Sequence, residues 1–337
     1  MNAKRFRTRF RFRYNQRSAA GSASKFLQIE NRCRSPIVPL LTSMNDLATS
    51  LHSVAVVGAG TMGRGIAQAA ALAGYPVTLY DVADDLLAAA LDQIRTSIEE
   101  GVRRGKTDEA VAAVAKAAFT LTTSLEQTAQ AGLVIEAVPE KLDLKQSIFR
   151  QLDAAAPPAT ILASNTSSLS INALAGATKR ADRFVGLHFF NPAHLMKLVE
   201  VIAGNETSDA TLATAQEFLQ LLGKVAVRCK DTPAFIVNRV ARPFYGEAFR
   251  LLGEGAADVE TIDRLVESLG FRMGPFRLID LIGCDVNFAV TQSVYQAYFG
   301  EPRYRPHPIQ QQMVDSGRLG RKTGAGFYRY EEEKEGK

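Results

Sequence analysis

Two groups of residues in this 337-residue chain have the types and spacing that chemistry requires. The first is Gly58, Gly60 and Gly63, with Thr61 and Met62 between the last two, in the run Gly-Ala-Gly-Thr-Met-Gly. In such a run the first glycine permits a tight turn, the second lets the backbone approach a pyrophosphate, and the third lets a helix pack closely on a strand. The helix that begins there presents unpaired N–H groups and a partial positive charge to the phosphates. Asp81 follows 18 residues after Gly63, near the spacing of an acid that hydrogen-bonds a ribose 2′-hydroxyl. A carboxylate at that point repels a 2′-phosphate, and neither Val82 nor Ala83 supplies a cation to offset it. NAD is therefore the expected cofactor in preference to NADP; FAD, which uses the same fingerprint, is the alternative.

The second group is His188 with Glu200. A secondary alcohol that gives up hydride must lose its hydroxyl proton to a base, and the chain has four histidines. His52 precedes the first strand, His194 lies in a loop and His307 sits in a proline-flanked turn. His188 ends a strand-like run, FVGLHF, the end at which the functional groups of open α/β sheets collect. Glu200 lies between Leu198 and Ile202 on one face of a second run. A carboxylate among apolar neighbours needs a partner, and an imidazole whose tautomer and charged form it would fix is a natural one. Taken alone, His188 also fits a structural role, and Glu200 also fits a solvated edge strand.

Elements of the right kind surround both groups. From about residue 53, short β-branched runs alternate with longer Ala-rich stretches, the pattern of a parallel sheet with crossover helices. Strands are expected at 53–58, 76–81, 133–138, 160–164, 184–189, 198–202 and 225–229, with helices at 61–73 and 83–104. A further helix, between the strands at 133–138 and 160–164, is expected to start at Pro139, a residue favoured in first helical turns. After Asp231 strand-like runs stop. Thr232 and Pro233 read as an N-cap and a first-turn proline for a helix from Ala234 to about Leu252, followed by helices at 258–269 and 276–299. The fold class is α/β, a Rossmann-type NAD-binding domain over 50–230 followed by a mainly helical domain over 231–331.

Charge and composition narrow the partners. Hydrophobic residues make up 46% and charged residues 22% of the chain, an ordinary soluble mixture. The formal net charge is +5, but residues 1–43 carry ten Lys or Arg against Glu30 alone, so the remainder is mildly acidic. A nucleic-acid footprint needs a basic face on the fold itself, and none is expected. Residues 1–43 read as a disordered tail, the product of an upstream start with Met44 as the working one, or a cleavable transit peptide. A cytoplasmic location is expected, or a mitochondrial one if the extension is a transit peptide. Cys33, Cys229 and Cys284 give neither a disulfide framework nor a zinc spacing, so no metal is expected. No run reaches the length of a membrane span.

The strings VGAGTMGRGIAQ, SNTSSLSI, LHFFNP, MKLVEVI, DTPAFIVNR and GRLGRKTGAGFYRY, in that order over about residues 53–330, resemble the 3-hydroxyacyl-CoA dehydrogenase family. The resemblance implies NAD-dependent oxidation of an (S)-3-hydroxyacyl-CoA to the 3-oxoacyl-CoA, in fatty-acid or acyl-CoA metabolism, by a homodimer. It implies His188 as general base with Glu200 orienting it, Ser167 and Asn238 holding the substrate oxygen, and Glu140, Lys145 and Asn165 around the nicotinamide and ribose. Short chains, 3-hydroxybutanoyl-CoA above all, are expected. RVARPFYGEAFRLLGEG and DLIGCDVNFAVTQSVYQAYFG also resemble members acting on 3-hydroxyadipyl-CoA in phenylacetate breakdown; a cation near the far end of the acyl pocket would distinguish the two. A catalytically inactive NAD-binding structural protein is the alternative of a different class, and it should lack His188, Glu200 or Asn238. Two positions depart from the family: Ala234 where glycine is usual, and His194 where a small residue or proline is common. The cluster Arg103, Arg104 and Lys106, and Lys322, are candidates for the CoA phosphates, although a helix C-terminus favours the cluster in any case.

Overall fold

Runs of Val, Ile and Leu buried on both faces call for cover on both faces, and the chain supplies it. The computed structural model of the protein describes residues 51–330, all of which belong to one unit. The expectations for residues 1–43 and Cys33 lie outside the described residues. In chain order come β1 (Val54–Val57), α1 (Thr61–Leu72), β2 (Val77–Tyr80), α2 (Asp84–Arg103), α3 (Glu109–Ala117), β3 (Phe119–Thr122) and α4 (Leu125–Thr128). There follow β4 (Leu133–Glu136), α5 (Leu142–Ala155), β5 (Ile161–Ser164), α6 (Ile171–Ala175), β6 (Phe184–Phe189), β7 (Leu198–Ala203), α7 (Asp209–Leu221) and β8 (Val225–Lys230). The eight strands form one sheet in the order β3-β2-β1-β4-β5-β6-β7-β8. Val54 and Val56 point into one core layer and Ala55 and Val57 into the other, the alternation of a strand covered on both sides. The strand order reverses between β1 and β4, which opens a crevice at their C-terminal ends.

The sheet departs from the expected all-parallel arrangement at one place, since β7 runs antiparallel to β6. The connection 190–197 is too short for a crossover, which takes a dozen residues or more. The helix expected at Pro139 begins instead after Lys141, its N-cap. Pro139 accepts a hydrogen bond from the Lys141 amide at 2.8 Å, a tight turn that leaves Glu140 facing the loop after β5. Neither α3, β3 nor α4 was among the expected elements.

The rest of the described chain is helical: α8 (Val237–Gly253), α9 (Val259–Ser268), α10 (Pro275–Ile282), α11 (Cys284–Ala297) and α12 (Pro308–Asp315). The stretch 276–299 is thus two helices, broken at Gly283, whose φ of +105° no ordinary helix residue adopts. The start of α8 is also corrected. Thr232 and Pro233 form a turn in which the Phe235 amide donates to the Thr232 carbonyl. Ala234 and Phe235 then take φ values of +67° and +49°, and the helix begins at Val237 rather than Ala234. The reason lies in packing: Phe235 is buried in the sheet core beside α5 and α6, whereas Ala234 is buried against Val294 and Tyr304 of the helical layer. Among the described residues no helix is long and apolar enough to cross a membrane.

Candidate active site

Antiparallel pairing of β6 with β7 sets His188 directly opposite Glu200, and opposed residues project from the same face. Their side chains meet, with His188 Nδ1 2.7 Å from Glu200 Oε2. The histidine is 6% and the glutamate 1% exposed. Glu200 is not on an edge strand, because β8 lies outside β7. Burial pushes the Glu200 carboxyl up, but hydrogen bonds from His188 and from the Val237 and Ile236 amides outweigh it and leave it below the ordinary range. Those amides donate to Oε1 at 2.9 Å each, so one carboxylate orients the imidazole and caps α8. A carboxylate at Nδ1 keeps a proton on that nitrogen and leaves the Nε2 lone pair to accept another. The imidazole is flanked by the rings of Phe190 and Phe235, at centroid distances of 4.5 and 5.8 Å.

A cleft of about 460 Å³ opens beside this pair, between the strand ends and the helical layer. It brings together His188, Met62, Glu140, Lys145, Asn165, Ser167 and Asn238. Glu140 gathers the loop after β5: its Oε1 accepts from Thr166 Oγ1 at 2.5 Å and from the Ser167 and Ser168 amides at 2.9 and 3.1 Å. Lys145 is wholly buried, with Nζ 2.6 Å from Glu136 Oε1, 3.1 Å from Glu140 Oε2 and 3.2 Å from the Val138 carbonyl. Burial raises the Glu136 carboxyl against the pull of Lys145 and the hydrogen bond from Ser164. Burial acts on Glu140 too, yet Lys145 and the loop donors bring it below the ordinary range. Asn165 Oδ1 accepts the Phe189 amide at 2.9 Å and so fixes the strand end that carries His188.

The glycine turn lies at the crevice between β1 and β4. Gly58 has φ +104° and packs on Ala137, and a Cβ on Gly63 would lie 1.7 Å from the Gly58 carbonyl oxygen. A Cβ on Gly60 would meet no protein atom within 4 Å, so nothing in the chain itself demands glycine there. Space at Gly60, above the start of α1, fits an approaching pyrophosphate. Asp81, just past β2, accepts the Ala59 amide through Oδ2 and the Val82 amide through Oδ1, both at 2.7 Å. The carboxylate is thus held against the glycine turn at the C-terminal end of β2.

Other sequence candidates fall elsewhere. His194 lines a separate hollow with Thr61 and Arg64, and burial together with the Lys224 charge lowers its pKa. His307 caps α12, its Nδ1 accepting the Ile309 amide. Arg104, just past the end of α2, pairs with Glu100 of that helix, and both oxygens of Asp285 lie 2.6 Å from Lys322 Nζ. Burial and neighbouring carboxylates push the thiols of Cys229 and Cys284 up to about 12, so neither is a nucleophile at neutral pH. Sequence reasoning missed Glu136, Arg242, Tyr245 and Asn287. Glu136, an acid inside the apolar run LVIEAV, carried the same signal that marked Glu200. The other three lie on helices, and only the packing of α8 on α11 brings them to the cleft.

Residues 53–232 match the 3-hydroxyacyl-CoA dehydrogenase NAD binding domain, and residues 235–330 match the C-terminal domain of that family. The chain is 48% identical over 288 residues to the 3-hydroxyadipyl-CoA dehydrogenase of Escherichia coli K12, a match covering 85% of this chain and 60% of that longer protein. It is 42% identical to the 3-hydroxybutyryl-CoA dehydrogenase of Bradyrhizobium diazoefficiens, over 84% of this chain and 97% of the relative. Among solved structures, (S)-3-hydroxybutyryl-CoA dehydrogenase from Ralstonia eutropha superposes with a TM-score of 0.80 at 42% identity, over 84% of this chain and all of the other. The chain belongs to the 3-hydroxyacyl-CoA dehydrogenase family.

Proposed function

We propose that the protein oxidises short-chain (S)-3-hydroxyacyl-CoA, 3-hydroxybutanoyl-CoA in particular, to the 3-oxoacyl-CoA, and catalyses the reverse reaction. Bound NAD supplies the hydride acceptor. His188 Nε2 takes the proton from the C3 hydroxyl, and Glu200 balances the imidazolium that results. Ser167 and Asn238 hold the C3 oxygen, since a hydroxyl and an amide each donate and accept hydrogen bonds and so suit an atom alternating between hydroxyl and carbonyl. Glu140, itself held by Lys145, keeps Ser167 in place through the loop 166–168. Asn165, Glu140 and Lys145 form the wall on the nicotinamide side. Asp81, with the turn at Gly58, Gly60, Thr61, Met62 and Gly63, selects NAD over NADP. The observation that carries the reading is the buried His188–Glu200 pair opening on the cleft that Ser167 and Asn238 also line.

A homodimer through the helical half forms part of the same reading. Its support is the apolar surface left exposed there, including Val240, Leu265, Leu269 and Phe271. The deciding experiment is loss of NADH absorbance on adding acetoacetyl-CoA to the full chain, with NADPH in parallel. Rapid oxidation of NADH and slow oxidation of NADPH is the expected result. Tight NADH binding without turnover on any 3-oxoacyl-CoA would overturn the assignment and favour a non-catalytic NAD-binding protein.

A further inference from the structure

The main cleft has two unlike ends. Met62, Ala137, Glu140 and Lys145 line it where the strands finish, beside the glycine turn. Away from them it runs between α8 and α11. Asn238, Ala241 and Tyr245 recur along α8 at intervals of three and four, and Val286 and Val290 recur along α11 at four, so each set lies on one helix face. Past Asn238, the side chains of Ala241, Val286 and Val290 can cover a hydrocarbon chain and give it nothing to hydrogen-bond. Arg242 and Tyr245 end this passage. Both line the cleft and both also line a separate hollow of about 10 Å³ beyond it, with Thr291, Tyr304 and Gln310. A wall one side chain thick therefore divides the two spaces.

The wall is stiff. Tyr245 is 4% and Arg242 5% exposed. Arg242 Nη1 donates to the Asn287 carbonyl at 3.0 Å and to Thr291 Oγ1 at 2.9 Å, and the guanidinium lies over the Tyr245 ring at 5.0 Å. Its Nε is buried without a hydrogen-bond partner. The cation is thus committed to α11 and to the ring, and serves as a strut. Tyr245 also belongs to the buried cluster of Phe249, Ile262 and Phe276, and close packing of that kind holds a ring in place. Volume sets the scale of the passage. A cavity of about 150 Å³ accommodates benzene, and the whole cleft is about 460 Å³. Once a nicotinamide ring and the reacting thioester unit are housed, about one ring's worth is left, the bulk of a few carbon atoms. The nucleotide of CoA is far too large for that remainder, so the acyl tail takes the end between the helices. Asn238 and Tyr245 are seven residues apart, a rise of about 10 Å.

We propose that Tyr245, braced by Arg242, is the residue that limits acyl-chain length: the tail runs between α8 and α11 from Asn238 and stops against its ring. Specificity for short chains then comes from a wall at a fixed distance from the C3 oxygen, with Val286 and Val290 as the sides of the passage. This rests on the reading of the cleft as an acyl-CoA site.

The test measures kcat/KM for NADH-dependent reduction of acetoacetyl-CoA, 3-oxohexanoyl-CoA and 3-oxodecanoyl-CoA by the full chain. In an open groove each added methylene would improve binding about fourfold. Against a stop the gain reverses, so 3-oxodecanoyl-CoA should fall at least about tenfold below the better of the two shorter chains. In Tyr245→Ala the ratio of 3-oxodecanoyl-CoA to acetoacetyl-CoA should rise at least about tenfold, whereas Tyr245→Phe, which keeps the ring, should keep the order of the unaltered enzyme. Because each ratio is taken within one protein, partial misfolding cancels from it. Should Tyr245→Ala not fold at all, Val290→Phe, which narrows the passage short of the wall, should lower the ratio of 3-oxohexanoyl-CoA to acetoacetyl-CoA. Full use of 3-oxodecanoyl-CoA by the unaltered enzyme, or a ratio that the substitution leaves in place, overturns the inference alone. Failure to reduce any chain, acetoacetyl-CoA included, overturns the reading of the site and this inference with it.

Discussion

At the scale of single residues, the chemistry proposed for His188 depends on which nitrogen is committed elsewhere. Nδ1 faces Glu200 at 2.7 Å, so Nε2 is the nitrogen open to a proton, and changing either partner has a separable effect. In His188→Gln the amide can still donate to the buried carboxylate, so the fold should hold while kcat falls by roughly 10²-fold or more. Glu200→Ala removes the orienting group and also the acceptor of the Ile236 and Val237 amides. It should therefore lose activity and about 2 kcal/mol of stability. Urea denaturation of the two variants beside their turnover checks this, and equal stability of the two would break the link between capping and catalysis. Arg242 belongs to the same scale. It stands out only after folding, because a basic residue on an amphipathic helix reads from sequence as solvated.

Among the elements, His307 offers a pH-dependent test. Its Nδ1 must be unprotonated to accept the Ile309 amide at the start of α12, and burial, then the Arg250 charge, lowers its pKa below the ordinary histidine value. The unfolded chain therefore takes up the proton first. This contribution to stability is complete above about pH 6.5 and is lost as pH falls through the lower folded value. Thermal denaturation between pH 7.5 and 5 should show that decline, and His307→Asn, a good cap that does not titrate, should make it shallower. Most strands and the long helices were legible because period and composition agree along them. The elements that escaped are those set by distant packing. Pro139 and Pro233 carry helix-start signals, but in each case the backbone is bent instead into a turn that delivers a neighbour, Glu140 or Phe235, to another element. The antiparallel entry of β7 was readable from the short connection 190–197. The proposed cofactor residues were visible because glycine spacing and a strand-end acid are local patterns. Asn287 and Tyr245 were not, since they reach the cleft through contacts between helices remote in sequence.

For the molecule as a whole, the sheet layer and the helical layer are joined by more than a passing chain. Phe235 is buried in the core of the sheet, the Glu200 carboxylate of β7 caps α8, and Asp231 accepts from Ser170 Oγ and the Asn172 amide at 2.7 and 2.8 Å. The two layers should therefore unfold together. NADH at about a hundred times its dissociation constant adds about 2.7 kcal/mol to whatever unit unfolds with its site. A single calorimetric transition that moves upward intact is the expected outcome, and a second, unshifted transition would show that the helical layer melts independently. The successive left-handed residues Ala234 and Phe235 carry a mechanical consequence. For a side-chain-bearing residue that region is a small island in conformational space, so the junction resists bending where a glycine-rich joint would yield. Any closure of the helical layer over bound substrate has to be taken up on either side of the pair, and the junction itself acts as a rivet rather than a hinge.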